Sequence, residues 1–227
     1  DLAERATQST VDDVLNRLRI FGKWKEEEGS ENPFTNLARP RASKVARDRA
    51  TFTAKEVKIL TTSKAIPEHR RILWGILAWT GLRPIEASRM TAQHIVQSGT
   101  GWELRLPAEF QKSRRPDIIE LDSAEARGIR NHSPLVRCSV DHLGRFLEKD
   151  MEAGGLKIKQ AGTKRTPYDL RSFFVSELFR QGLDPETVRA LARHRRIETT
   201  LNHYTRFRSN EAGAARKLAK AKSLSAS

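Results

Sequence analysis

Apolar residues recur along this chain at helical spacing far more often than in alternation, and that pattern predicts a mostly helical architecture. Val11, Val14, Leu15, Leu18 and Phe21 make an amphipathic stripe over residues 10–24. Glu26, Glu27, Glu28 and Gly29 close this helix, and Asn32-Pro33 breaks the chain. A lone helix cannot bury its own stripe, so residues 1–35 read as the terminal helix of a truncated domain. Residues 36–50 carry Arg39, Arg41, Lys44, Arg47 and Arg49 with little apolar content and read as a basic linker.

From residue 51 the signals become denser. Thr53 and Glu56 form a capping box that opens a helix to about residue 60. Pro67 opens a second helix that stops at Gly81. Its nearly continuous apolar run, Ile72, Leu73, Ile76, Leu77 and Trp79, predicts a buried central helix. Pro84 starts a short helix to residue 90. Residues 102–106 and 117–121 read as two strands joined by a hairpin connection over 109–116. Helices follow over 140–151, ended by Gly154-Gly155, and over 168–181, ended by Gly182. Asp184-Pro185-Glu186 gives an N-cap, an N1 proline and an acidic first turn for a helix to residue 192. A last helix covers 198–207, ahead of an Ala- and Lys-rich tail. The expected fold is mainly α with a small antiparallel β-sheet (α+β), its main domain spanning 51–208 and its tail 209–227.

Composition narrows the partner. The 227 residues hold 42 Lys and Arg against 28 Asp and Glu, a formal net charge of +14. A charge that large points to a polyanion, nucleic acid first and an anionic membrane surface second. A membrane surface calls for a basic amphipathic helix with bulky apolar residues opposite the charge, and none stands out. A merely basic soluble protein stays open on charge alone. No apolar run is long enough to span a bilayer. The single cysteine, Cys138, excludes an internal disulfide framework and a multi-cysteine zinc site. The chain opens on Asp1 without a signal-peptide pattern, and the expectation is a piece of a longer protein in a reducing, cytoplasmic setting.

Four segments carry candidate chemistry. In Thr80-Gly81-Leu82-Arg83-Pro84-Ile85-Glu86 an arginine sits where one helix ends and another begins, close to free N–H groups that favour an anion. Alone, it reads more readily as an arginine lying over Trp79. In Tyr168-Asp169-Leu170-Arg171 a cation sits near a helix N-terminus, against the helix dipole. Phosphate binding or an ion pair with Asp or Glu would each account for it. His194 lies among Arg193, Arg195 and Arg196, which disfavour its protonation. It reads either as a proton-exchanging imidazole or as a solvated surface histidine. Tyr168 and Tyr204 are the only tyrosines, and each is either an activated hydroxyl or a packing ring.

Taken together, Gly-Leu-Arg with Glu three residues on, a hairpin lysine, x-x-Leu-Arg on a helix, a following His and then a Tyr ten residues later resemble the catalytic domain of the tyrosine recombinases, the phage-integrase family. The resemblance covers about residues 50–208 and implies roles residue by residue. Arg83 and Arg171 clamp the scissile phosphate. Lys112 of the hairpin protonates the leaving 5′ oxygen, His194 shuttles a proton and Tyr204 is the nucleophile. Tyr168 stands where the family carries His, with a placing role. Arg193 stands where the family carries Gly. Arg114, Arg115, Lys164, Arg165, Arg193 and Arg195 are the expected DNA-backbone contacts. His203 is expected on another helix face from Tyr204, without a part in the chemistry.

The resemblance further implies a site-specific DNA recombinase or integrase of a mobile element or prophage, acting on double-stranded DNA. It implies a homo-oligomer, a tetramer, on DNA, and a bacterial, nucleoid-associated location. The isolated protein is expected to be a monomer, with the tail over 210–222 docking through Leu218. Phosphodiester transfer by this route needs no cofactor, no metal and no ATP, and the sequence carries neither a two-metal Asp/Glu cluster nor a Walker A loop. Two rivals remain: a tyrosine-type DNA topoisomerase, whose relatives carry lysine at the position of Tyr168, and a basic DNA-binding module without catalysis.

Overall fold

The computed structural model describes residues 8–37, 51–111, 114–137, 139–160, 162–205, 207–209 and 211–212. Most of the basic linker, Lys112, Cys138 and the tail from 213 onward, with Leu218, lie outside the described residues. The chain divides into two units, Asp1–Asp48 and Arg49–Ser227. In the first, helix α1 spans Gln8–Glu27. The chain leaves it at Gly29, whose φ of 80° suits a residue without Cβ. Only Leu15 of the expected stripe is buried, while Val14 and Phe21 are exposed. Phe21 packs its ring near Trp24 and Phe34 at 5.6 and 6.3 Å.

The second unit is built from helices α2 (Ala54–Thr62), α3 (Glu68–Thr80) and α4 (Pro84–Arg89), followed by strands β1 (Ile95–Ser98), β2 (Gly101–Leu106) and β3 (Asp117–Leu121). Then come α5 (Ser123–His132), α6 (Leu143–Ala153), a two-strand ribbon of β4 (Lys159–Gln160) and β5 (Thr163–Lys164), α7 (Pro167–Arg180) and α8 (Pro185–Leu191). A further helix, α9, runs from 197 to 205.

Local signals explain most of these boundaries. Thr53 caps α2 through the expected box, its hydroxyl accepting from the Glu56 N–H at 3.3 Å. Asp184 caps α8 by accepting from the Glu186 and Thr187 N–H groups. Helix α3 is the buried centre, with Leu73, Trp74, Ile76, Leu77 and Ala78 inside. It packs against α2 and α7. The Trp74 indole N–H donates to Asp150 Oδ2 at 2.8 Å, and Arg70 pairs with the same carboxylate at 2.9 Å.

The sheet has three strands where the sequence predicted two. β2 is central and antiparallel to both neighbours, with Leu104 opposite Ile95 on one side and Ile119 on the other. Helix α5 is also additional to the sequence prediction. A second, smaller core gathers Val175, Leu178, Phe179, Val188 and Ala192, with Phe174, Leu183, Tyr204 and Phe207 packed on it. Among the described residues, no helix is long and apolar enough to cross a membrane.

Candidate active site

Three chain turns meet at one place: the α3–α4 turn, the start of α7 and the turn after α8. Gly81 ends α3 at φ 61°, and a Cβ there would lie 2.3 Å from Phe174. Only glycine allows both this turn and the close approach of α7. The chain then enters α4 through Arg83, whose N–H donates to Glu86 Oε2 at 2.9 Å. The Arg83 guanidinium pairs with Glu86 Oε1 at 2.5 Å instead of lying over Trp79. Trp79 meets Phe173 edge-on at 5.5 Å.

Arg171 is buried, but no carboxylate is its hydrogen-bond partner. It donates to two backbone carbonyls, Gly81 O and Ala192 O. Burial, and then the neighbouring Arg83 and Arg193 charges, lower its pKa from 12.5 to about 9. Arg83 also reaches across, its Nη2 donating to Arg193 O at 3.3 Å. Glu86 is wholly buried beneath these cations.

His194 follows at once. Its backbone N–H donates to Arg189 O at 3.0 Å, and its Nδ1 lies 2.9 Å from Thr200 Oγ1. The ring is only 8% exposed, which rules out the reading as a solvated surface histidine. Burial first, then the charges of Arg171, His203, Arg83 and Arg193, lower its pKa from 6.5 to about 3. At neutral pH the imidazole is therefore uncharged, and an anion bound beside it would raise its basicity.

Arg83, Arg171 and Arg193 thus come together beside His194, with the Glu86 and Asp117 carboxylates offsetting two of the three cations. Among the described residues, no group of three or more His, Cys, Asp or Glu could hold a metal. The arrangement can bind an oxyanion through planar donor forks, with a neutral base beside it.

The remaining candidates divide. Tyr168 is 52% exposed at the start of α7, beside a small depression that it shares with Pro84, Ile85, Val140 and Asp141. Tyr204 lies on α9 with its ring 5.0 Å from Phe179, packed on the second core. His203 lies on another face of α9 from Tyr204, as its spacing predicted. Its ring stacks on His194 at 5.8 Å and 19°, because successive helical residues diverge by about 100° and α9 turns the 203 face toward His194. Lys112 lies outside the described residues, on the connection between β2 and β3.

Of the expected backbone contacts, Arg114, Arg115 and Arg195 are exposed. Lys164 is exposed but paired with Glu148 at 2.7 Å. Arg165 and Arg193 are corrected to interior roles. Arg165 is 4% exposed, pairs with Glu56 at 2.7 Å and lies over the Phe52 ring at 4.9 Å. Arg193 is held by Glu86 and Asp117. Sequence reasoning passed over Glu86 and Thr200 as site residues. Glu86 was visible as the third residue of a helix following an anion-binding arginine; Thr200 shows its role only once its turn is folded.

No curated protein matches the chain in sequence. Solved structures share its fold. A XerH site-specific recombinase bound to palindromic difH substrate, in a post-cleavage complex, superposes with a TM-score of 0.59 at 16% identity, over 83% of this chain and 60% of that one. A lambda integrase fragment, in a dimer bound to a COC′ core site, gives 0.55 at 19% identity, over 88% of this chain and 80% of that one. The integrase from mycobacterium phage Brujita gives 0.53 at 17% identity, over 79% and 61%. The chain therefore spans about 60% of the length of the XerH recombinase. Residues 51–211, well over half of the chain, match the phage integrase family, and the chain belongs to that family.

Proposed function

We propose that this chain is the catalytic part of a site-specific DNA recombinase or integrase, serving a mobile element or prophage in a bacterial, nucleoid-associated setting. The observation that carries the reading is the convergence of Arg83, Arg171 and His194 from three separate turns onto one place with surplus positive charge. Breaking a phosphodiester requires charge neutralisation on the non-bridging oxygens, a nucleophile and a proton for the leaving oxygen.

Arg83 and Arg171 grip the phosphate. Once α9 turns so that Tyr204 leaves Phe179 for the phosphate, Tyr204 Oη attacks phosphorus and passes its proton to neutral His194. The bond from phosphorus to the 5′ oxygen breaks, and Lys112 protonates that oxygen. The product is a 3′-phosphotyrosyl link, which the free 5′-hydroxyl of another strand attacks to rejoin DNA and release Tyr204. Tyr168 flanks the phosphate, and exposed Arg114, Arg115 and Arg195 follow the backbone of double-stranded DNA. The DNA-bound XerH and lambda integrase complexes support this partner, and the lambda dimer supports assembly of several subunits on DNA. Residues 1–35 act as the end of a preceding DNA-binding domain.

The test uses a nicked duplex carrying the attachment site, followed by a denaturing gel. Tyr204→Phe is expected to abolish the covalent adduct while binding stays near wild type. An adduct that persists in this variant removes Tyr204 as nucleophile.

A further inference from the structure

Arg193 occupies a backbone position that disfavours a side chain. Its φ is 53°, in the left-handed region, where a residue other than glycine is strained by about 1–2 kcal/mol. The side chain makes contacts that offset this strain. It is 8% exposed, and its guanidinium joins three segments. Nη1 donates to Thr80 O at 3.3 Å, and Nη2 to Gly81 O at 3.1 Å and Glu86 Oε2 at 3.4 Å. Nε lies 3.4 Å from Asp117 Oδ2, at the first residue of β3. The Arg193 carbonyl in turn accepts from Arg83 Nη2 at 3.3 Å.

Two consequences follow for Arg83. Mechanically, Arg193 ties the turn that carries Arg83 to the turn that carries His194, and both to the base of the β2–β3 hairpin. Electrostatically, Glu86 paired with Arg83 alone would cancel most of the charge an incoming anion needs. A second cation on the same carboxylate restores part of it, the Arg193 charge being shared between Glu86 and Asp117. We propose that Arg193 is a positioning residue of the phosphate site, which fixes the Arg83–Glu86 pair and leaves Arg83 a net charge to offer phosphate. This rests on the reading of Arg83 and Arg171 as phosphate ligands.

The experiment titrates the full chain with inorganic phosphate, followed by 31P NMR. Arg193→Gly suits the left-handed backbone, and the roughly 1–2 kcal/mol of relieved strain offsets part of the cost of a broken buried pair, about 3–5 kcal/mol, so its thermal midpoint should stay within about 10 °C of wild type. Its phosphate affinity should fall about tenfold, the size of one charge-assisted contact. Free guanidinium at about 50 mM should restore part of the loss, while NaCl of equal ionic strength should not. Arg193→Lys, which keeps the charge and loses the fork, should fall between wild type and Arg193→Gly. Unchanged phosphate affinity in Arg193→Gly overturns the proposal. So does a loss that guanidinium relieves no better than NaCl and that accompanies a larger drop in midpoint, which is the mark of a purely structural role. Arg83→Ala is the reference: if it leaves phosphate affinity intact, the phosphate reading itself falls, and the proposal with it.

Discussion

Replacing Glu86 with Gln keeps the shape of the side chain and removes the carboxylate that pairs with both Arg83 and Arg193. Its carboxylate oxygens lie 2.5 Å from Arg83 and 3.4 Å from Arg193, with no exposure to solvent. At an effective dielectric of about 20, charges at those distances attract by roughly 7 and 5 kcal/mol. Neutralising Glu86 also relieves several kcal/mol of desolvation, so the net loss should be about 3–5 kcal/mol, as for other broken buried pairs. That is a large share of a stability of about 5–15 kcal/mol. Urea unfolding followed by tryptophan fluorescence measures it, since Trp74 is fully buried in the main core. Adding phosphate should narrow the gap, because a bound anion replaces part of the missing charge and stabilises the folded state by mass action. A Glu86→Gln variant within about 1 kcal/mol of wild type in phosphate-free buffer would refute the charge balance described for this site.

Two further outcomes are expected. The His194 pKa is depressed in the folded state, to about 3 from 6.5, so its contribution to stability is complete above pH 6.5 and is lost as pH falls from 6.5 toward 3; an NMR titration of the His194 ring with a midpoint above 6 would contradict this. Gly81→Ala places a Cβ 2.3 Å from Phe174 at a φ of 61°, so it should destabilise by more than about 1 kcal/mol and weaken phosphate binding by moving the carbonyl that holds Arg171; unfolding curves and the phosphate titration check both parts.

Elements announced by local chemistry were legible in the sequence. The Thr53–Glu56 box, Pro67, Gly81 and Asp184-Pro185 each act within one turn of themselves, and each sits where the helix ends require. Strand β1 escaped because it is four residues long with one buried side chain, Ile95, and is defined by its pairing with β2. Helix α5 buries only Ala126 and Ile129, yet its Asp122–Glu125 capping box was there to be read. Arg83, Arg171 and His194 could be named from order and spacing, but their partners could not. Arg171 binds carbonyl oxygens, which every residue possesses. Nor does charge reveal direction: Arg165 and Arg115 look alike in sequence, and only the fold places Glu56 beside one and solvent beside the other. The faces of His203 and Tyr204 depend on the angle at which α9 leaves the turn before it, which the spacing alone does not fix.

The two carbonyls that hold Arg171 belong to the residues that end α3 and α8. They are the negative poles of two helices, so neutral dipoles stabilise the guanidinium and its full charge stays available to an anion. They are also main-chain atoms, present whatever side chain residue 192 carries. Substitution can delete an ion-pair partner in a single step, but it cannot delete an acceptor of this kind. The mooring of Arg171 is thus inherited with the helix ends themselves, and sequence drift around the site can alter every neighbouring side chain before it removes what Arg171 is fastened to.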